Sequence, residues 1–181
     1  MKRNVIPSDS TRMVKWNQGN HQCLILNVDG SCLGTPIRAG FGGIFRNNVG
    51  AYLSGYSGFI PESTDVLLAE LTALHQGLLM AAAMGIEELS CYSNSLLSIN
   101  LITGTASNYH AYAVLIQDIK DLLSAQNYSV HHCLREGNQC ADYLAKLGAS
   151  SNEECLVHAS APQELLVLLQ MDAIGTLFPR A

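Results

Sequence analysis

Three strand-like stretches follow one another near the start of this chain with no helical period between them, and that run limits the fold more than any other feature. Residues 23–29 are apolar at Leu24, Ile25, Leu26 and Val28, and RAGFGGIFRNN at 38–48 and AYLSGYSGF at 51–59 come next. Asn47-Asn48-Val49-Gly50 supplies a turn between the second and third. Strands joined this closely pair as hairpins, so an antiparallel sheet opens the domain. The period then changes. Ser63-Thr64-Asp65 is a group of helix-capping residues, Leu67, Leu71, Leu74 and Leu78 recur at helical spacing, and Gly85 supplies the stop. A strand near 88–93, a helix from Ser95 to about Ile102, another from about Tyr109 to Ser124, a strand near 127–134 and a helix from Asn138 to Leu147 complete the pattern. The predicted order is βββαβααβα, an α/β domain on a five-stranded mixed sheet flanked by helices. Such sheets take ligands where strand ends from distant parts of the chain converge.

At 181 residues and 48% hydrophobic, the chain holds enough apolar sequence for one compact domain. Its expected parts are a polar leader at 1–21, the domain at 22–150, and an extension at 151–181 in which QELLVLLQMDAIG forms one short helix packed on the domain. No apolar run is expected to reach the roughly 18 residues of a membrane span. Met1-Lys2-Arg3 leads into polar sequence rather than a signal-peptide apolar core, so the expected location is intracellular, cytoplasmic or nuclear, with no membrane partner. That also removes any weight from Asn127-Tyr128-Ser129 as a glycosylation acceptor. The six cysteines form no CxxC pair or Cys/His ligand spacing and are expected to be reduced, small core residues. Net charge is −5 with ten Lys and Arg, which does not announce a nucleic-acid binder. Lys2, Arg3, Arg12 and Lys15 fall in the first fifteen residues, as an arm that contacts phosphates or, more simply, solubilises the terminus.

Four acidic or near-acidic positions carry the chemistry. Asp29 closes the run LILNVD and precedes Gly30-Ser31, so its charge falls at the edge of a buried sheet, where leaving it unpaired is expensive. Taken by itself, an Asp-Gly-Ser turn bonding its own backbone is the favoured explanation of Asp29. Glu70 is three residues from Leu67 and Ala73 and four from Leu74, which sets a charge beside an apolar helical stripe. Asp142 lies near the start of its helix, favoured by the dipole, and precedes Lys146 by four residues in the stabilising orientation. Asn94 follows the strand ELSCYS. Each has an ordinary structural explanation; their conjunction does not.

LNVDGS, GFGGIFRNNVG, AEL-x-AL-x-x-GL, YSNSLLSINLI and LREGNQCADYLAKLG, in that order and with Trp16 ahead of the first, resemble the ribonuclease H-like domains, type 1 ribonuclease H, abundant in plant genomes. The resemblance spans roughly residues 16–150 and continues into the tail through FPR. It implies a ribonuclease H-like fold and a metal-dependent endoribonuclease that cleaves the RNA strand of a duplex with two Mg²⁺ ions, Mn²⁺ being a possible substitute. On that mapping Asp29, Glu70, Asn94 and Asp142 are the metal ligands and, with Arg135, the catalytic set. Asp29 would bridge the ions, Glu70 and position 94 would hold the leaving-group ion, and Asp142 would complete the nucleophile side. Arg135 matches an arginine that compact relatives carry where longer-loop ones use histidine, although an ordinary solvated loop charge fits as well. Gly30, Ser31, Ser95 and Asn138 would lie against substrate.

Asn94 departs from the family pattern. An amide offers one neutral oxygen and no charge, so three carboxylates bind Mg²⁺ less well than four. Either a lineage has lost full catalysis, or an Asp-to-Asn change at 94 holds substrate or metal without turnover. The competing functional reading is an inactive nucleic-acid-binding or protein-interaction module that keeps the fold. Where hybrid-specific relatives read both strands with polar side chains, this chain has Val66, Leu67 and Leu96, and 103–111 holds no basic, Trp-bearing protrusion. The expected partner is therefore an RNA-containing duplex, either RNA/DNA hybrid or double-stranded RNA read through A-form shape and 2′-hydroxyls. His75 is not expected to be catalytic; of His131 and His132, on opposite strand faces, one approaches the site while the other packs or is solvated. Gly40, Gly42 and Gly43 fall within a strand and permit close approach, by a nucleic-acid backbone or by a neighbouring element.

Overall fold

The structure is a computed structural model that describes residues 12–17, 22–104 and 110–180. Its elements are β1 (Met13–Val14), β2 (Leu24–Leu33), β3 (Arg38–Arg46), β4 (Tyr52–Ile60), α1 (Val66–Ala83), β5 (Glu88–Ser93), α2 (Leu96–Thr103), α3 (Ala113–Ala125), β6 (Asn127–His132), α4 (Gln139–Ser150), β7 (Leu156–His158), α5 (Leu165–Ala173) and β8 (Phe178–Pro179). The main sheet has the order β6-β5-β2-β3-β4-β7. Its β2–β3, β3–β4 and β4–β7 pairs are antiparallel, whereas β5 and β6 join parallel to β2.

The expected order of core elements is present, with two differences at the chain's ends. The mixed sheet has six strands rather than five, because Leu156-Val157-His158 adds to β4 at one edge. Three residues are too few to show alternation. The leader and tail also meet, Met13 opposite Pro179 and Val14 opposite Phe178, in a separate two-stranded ribbon. The predicted start of the third helix near Tyr109 falls partly outside the described residues; within them that helix begins at Ala113.

Asp65 caps α1 by accepting from Leu67 N at 2.9 Å, as the Ser63-Thr64-Asp65 cluster foretells. The helix is long and apolar enough by length and composition to cross a membrane, contrary to expectation, since Glu70 is its one charge. Its buried stripe, which includes Leu71, Leu74 and Leu78, packs with Leu26, Val28, Phe45 and Tyr56 of the sheet and Ile116 and Ile119 of α3. That is the larger core. Across the sheet, Cys140 and Leu144 of α4 join Ile44 and the α5 residues Leu165 and Leu169 in a second cluster. Cys91 and Cys140 are buried as expected of small core residues, but Cys155 is exposed.

The glycines of β3 answer to a neighbouring element. A Cβ on Gly42 would stand 2.5 Å from Leu144 C and 2.6 Å from Ala145 N, and one on Gly40 would meet the Ala149 backbone. The α4 backbone thus lies directly on the strand, which holds Asp142 close to the sheet. Gly42→Ala is expected to destabilise the domain by about 1–3 kcal/mol or more through this overlap with backbone that has no side chain to rotate away. Urea unfolding measures it; a loss within a few tenths of a kcal/mol would show that α4 can lift off without penalty.

Candidate active-site cleft

Local folding brings the distant carboxylates to one rim. β2 runs through Asp29 and Gly30 while α1 crosses it so closely that a Cβ on Gly30 would lie 2.6 Å from Ala69 C and against Glu70 N. Glycine at 30 is therefore what allows the Glu70 carboxyl to reach hydrogen-bonding contact with that of Asp29. Val28 pairs in parallel register with Ser93, so Asp29 and Asn94 follow side by side as β5 ends. A 3₁₀ turn at Arg135–Gly137 then leads into α4 and Asp142. Asp29, Ser31, Arg135 and Asp142 line one cleft of about 360 Å³, together with Cys32, Val66 and Lys146.

The carboxyl pair is electrostatically expensive. Asp29 and Glu70 are 4% and 8% exposed, and no cation pairs with either at salt-bridge distance among the described residues. Burial, above all, pushes Asp29 up to about 6, with the nearby Asp142 charge adding to it and contact with Glu70 opposing. Glu70 is pushed up to about 9, first by burial and then by the charge of Asp29. The two behave as one unit that keeps a proton at neutral pH, held by Glu70 and donated to Asp29. Gly30 N donates to Asp29 Oδ1 at 3.0 Å, and Arg135 exerts a weaker opposing pull on both acids. Glu70 Oε2 is buried with no hydrogen-bond partner.

Asn94 and Asp142 are held differently. Asn138 Nδ2 donates to Val28 O at 2.9 Å and to Asn94 Oδ1 at 3.0 Å. Because a carbonyl can only accept, the first bond fixes the Asn138 amide, and the atom of Asn94 facing it must be oxygen. Asn138 is 1% exposed and clamps Asn94 to β2, rather than presenting itself to substrate as expected. Ser95 likewise turns inward to local structure: its Oγ accepts from Ser98 N at 3.2 Å and caps α2. Asp142 Oδ2 pairs with Lys146 Nζ at 2.8 Å on the exposed side of α4. Lys146 was legible as a helix partner of Asp142 but not as a wall of the cleft. His75 lies on α1 away from the cleft, and His131 and His132 line a separate cavity, so neither of the latter approaches the acids.

Oxygen donors from β2, α1, the end of β5 and α4 thus surround one rim, and a family model described as reverse transcriptase-like matches residues 27–148, the stretch that contains all of them. The chain belongs to this ribonuclease H-like family. A candidate ribonuclease H protein of Arabidopsis thaliana is 26% identical over 170 residues, which is 93% of this chain and 27% of that protein. This chain therefore corresponds to roughly a quarter of the length of its plant relative. The crystal structure of ribonuclease H1 from the halophilic archaeon Halobacterium salinarum is 25% identical and covers 70% of this chain and 97% of its own, with a TM-score of 0.63. The LC11 ribonuclease H1, determined in complex with an RNA/DNA hybrid, is 25% identical over 70% of this chain and 96% of its own, with a TM-score of 0.62. The family match ends at residue 148, within α4, so β1, β7, α5 and β8 lie outside it.

Proposed function

We propose that this ribonuclease H-like domain binds an RNA-containing duplex across the cleft and hydrolyses a phosphodiester of its RNA strand, with turnover limited by the amide at position 94. The contact between Asp29 and Glu70 carries the reading. A fold gains nothing from two like acids buried together, one of them with an unpartnered oxygen, unless something positive arrives to join them. Asp29, Glu70, Asn94 and Asp142 offer only hard oxygen donors, the set that suits two Mg²⁺ ions or Mn²⁺ in their place. When bound, such ions supply Lewis-acid charge at the scissile phosphate and acidify water.

The protein's own groups prepare that event. Glu70 gives up its shared proton as positive charge enters, which turns a monoanionic pair into a dianionic one. Arg135, exposed on the cleft wall, offers its guanidinium to a phosphate oxygen, and Lys146 releases Asp142 and turns to the same backbone. Exposed Val66 and Leu96 leave the groove edge without polar base-sensing groups, which supports recognition by A-form shape and so a substrate range that includes double-stranded RNA beside RNA/DNA hybrid.

One observation favours a second reading, an inactive module that binds without cleaving. Among the described residues no group of three His, Cys, Asp or Glu side chains stands ready to hold a metal ion, and Asp142 is paired with Lys146.

Linkage separates the two. The unfolded chain ionises Glu70 from about pH 4.5, whereas the folded chain holds that proton until about pH 9. Over this window the unfolded state binds fewer protons, so the stability of the metal-free protein falls as pH rises. Asp29 adds to the same fall between about pH 4 and 6. Glu70→Gln is expected to flatten the slope and raise the melting temperature at pH 8. Mg²⁺ at about ten times its dissociation constant is expected to raise the parent's melting temperature at pH 8 by roughly 2–5 °C and that of Glu70→Gln far less. Thermal unfolding across pH, with and without Mg²⁺, measures both. A parent that ignores Mg²⁺ would remove the nuclease reading and leave the binding module.

A further inference from the structure

The leader and tail that lie outside the family core build a second cavity, of about 640 Å³, against the β5–β6 side of the sheet. That volume falls within the roughly 300–1,000 Å³ of small-ligand pockets. Its lining includes Arg12, Lys15 and Arg180, three of the ten Lys and Arg of an acidic chain, with His131 and His132 beside them and no Asp or Glu among the described lining residues. Arg180 N donates to Arg12 O at 2.9 Å, so the β1–β8 ribbon itself brings two of these cations together from opposite ends of the chain. Tyr92 and His131 supply an aromatic wall, their rings 5.1 Å apart and inclined by 30°.

We propose that this cavity binds a nucleoside phosphate, with the phosphate held by Arg12, Lys15 and Arg180 and the base against the Tyr92–His131 rings. Concentrating cations in one concavity of a chain of net charge −5 raises self-energy unless an anion is the occupant, and the flat rings favour an anion that carries a base over a bare one. The site is separate from the acidic cleft. Leu134 and Gly137 of its wall flank Arg135, which lines the cleft. The ligand is either a free nucleotide or the phosphorylated end of a strand, and both present the same chemistry.

Trp16 is the sole tryptophan and lines the cavity, which makes its emission a local reporter. The experiment titrates the full chain with AMP, adenosine, inorganic phosphate and a short 5′-phosphorylated oligoribonucleotide, with a chelator present so that the acidic cleft holds no divalent ion. Equilibrium dialysis with labelled AMP runs in parallel. AMP is expected to change Trp16 emission saturably, to bind at least tenfold more tightly than either adenosine or phosphate, and to weaken with added salt. Arg12→Ser/Lys15→Ser/Arg180→Ser, three exposed positions, is expected to weaken AMP at least tenfold with an unchanged melting temperature. Tyr92→Leu is expected to weaken AMP and leave phosphate unaffected. If the oligoribonucleotide binds at least tenfold more tightly than AMP, the occupant is a strand end; if AMP matches it, a free nucleotide suffices. Absence of AMP binding by both methods, a triple variant that binds like the parent, or phosphate binding as tightly as AMP would overturn the assignment.

Discussion

Asn94→Asp is expected to raise Mg²⁺-dependent cleavage of an RNA/DNA hybrid by a factor on the order of one hundred or more, roughly 3 kcal/mol at the transition state. The substitution changes charge and almost nothing else. Asn138 Nδ2, fixed by its bond to Val28 O, donates to the oxygen of residue 94 at 3.0 Å and would donate as well to a carboxylate. The new acid would therefore stand where the amide oxygen stands, beside Asp29 at the end of β5. It would supply the charge that an amide lacks toward a divalent ion. The same charge adds repulsion in the metal-free protein, so Asn94→Asp should melt lower than the parent in chelator and gain more from Mg²⁺. That pairing distinguishes a repaired ion site from a general stabilisation. Adding Asp29→Asn to the variant is expected to abolish cleavage while keeping the fold. Hybrid and double-stranded RNA tested side by side, in Mg²⁺ and in Mn²⁺, report substrate choice in the same experiment. A variant with no turnover on either duplex, yet with unchanged duplex affinity, would make the inactive module the correct account.

How much of the candidate site was legible follows from where its residues lie. Asp29, Glu70 and Asp142 sit on regular elements whose periodicity is strong, and an acid that interrupts or flanks an apolar stripe stands out against it. Helix α1 was readable from its Asp65 cap to its Gly85 stop for the same reason. What lay hidden depends on contacts that no local pattern encodes. Gly30 looks like half of a turn, and only the crossing of α1 shows that it admits Glu70 to Asp29. Asn138 looks like a substrate-facing residue at the start of a helix, yet its side chain is spent on Val28 and Asn94. Lys146 was visible as a partner of Asp142 by spacing alone, but its place on the cleft wall required the turn at Arg135–Gly137. The sixth strand is three residues long and paired at an edge, below the length at which alternation carries information. The basic cavity is the extreme case: Arg12 and Arg180 are nearly a chain length apart, and nothing short of the β1–β8 pairing announces that they meet.

Asp172→Ala is expected to cost about 3–5 kcal/mol, and to lower the melting temperature by on the order of 10 °C, although Asp172 lies in the tail beyond the family match. Arg46 explains the size of the effect. Its side chain is 0% exposed, with Nη1 donating to Asp172 Oδ2 at 2.7 Å, Nη2 donating to Asn27 Oδ1 at 2.8 Å, and the guanidinium 4.3 Å over the Trp16 ring. Trp16 Nε1 donates to the same Asn27 oxygen at 3.1 Å, and Cys140 Sγ lies at hydrogen-bonding distance from both charged partners. One cation thus ties the leader, β2, α4 and α5 together. Its Nε is already buried without a partner, so the network has no slack to absorb a second loss. Removing the aspartate leaves a guanidinium in the core with no counter-charge, whereas removing both charges need not. Arg46→Met/Asp172→Leu is accordingly expected to recover most of the lost stability. Chemical unfolding gives the cycle, and Trp16 emission should shift to longer wavelength in Asp172→Ala as the ring loses its hold and meets water. A loss below about 1 kcal/mol, the range of exposed pairs, would mean that the tail does not close the core and that Arg46 reaches solvent by another route.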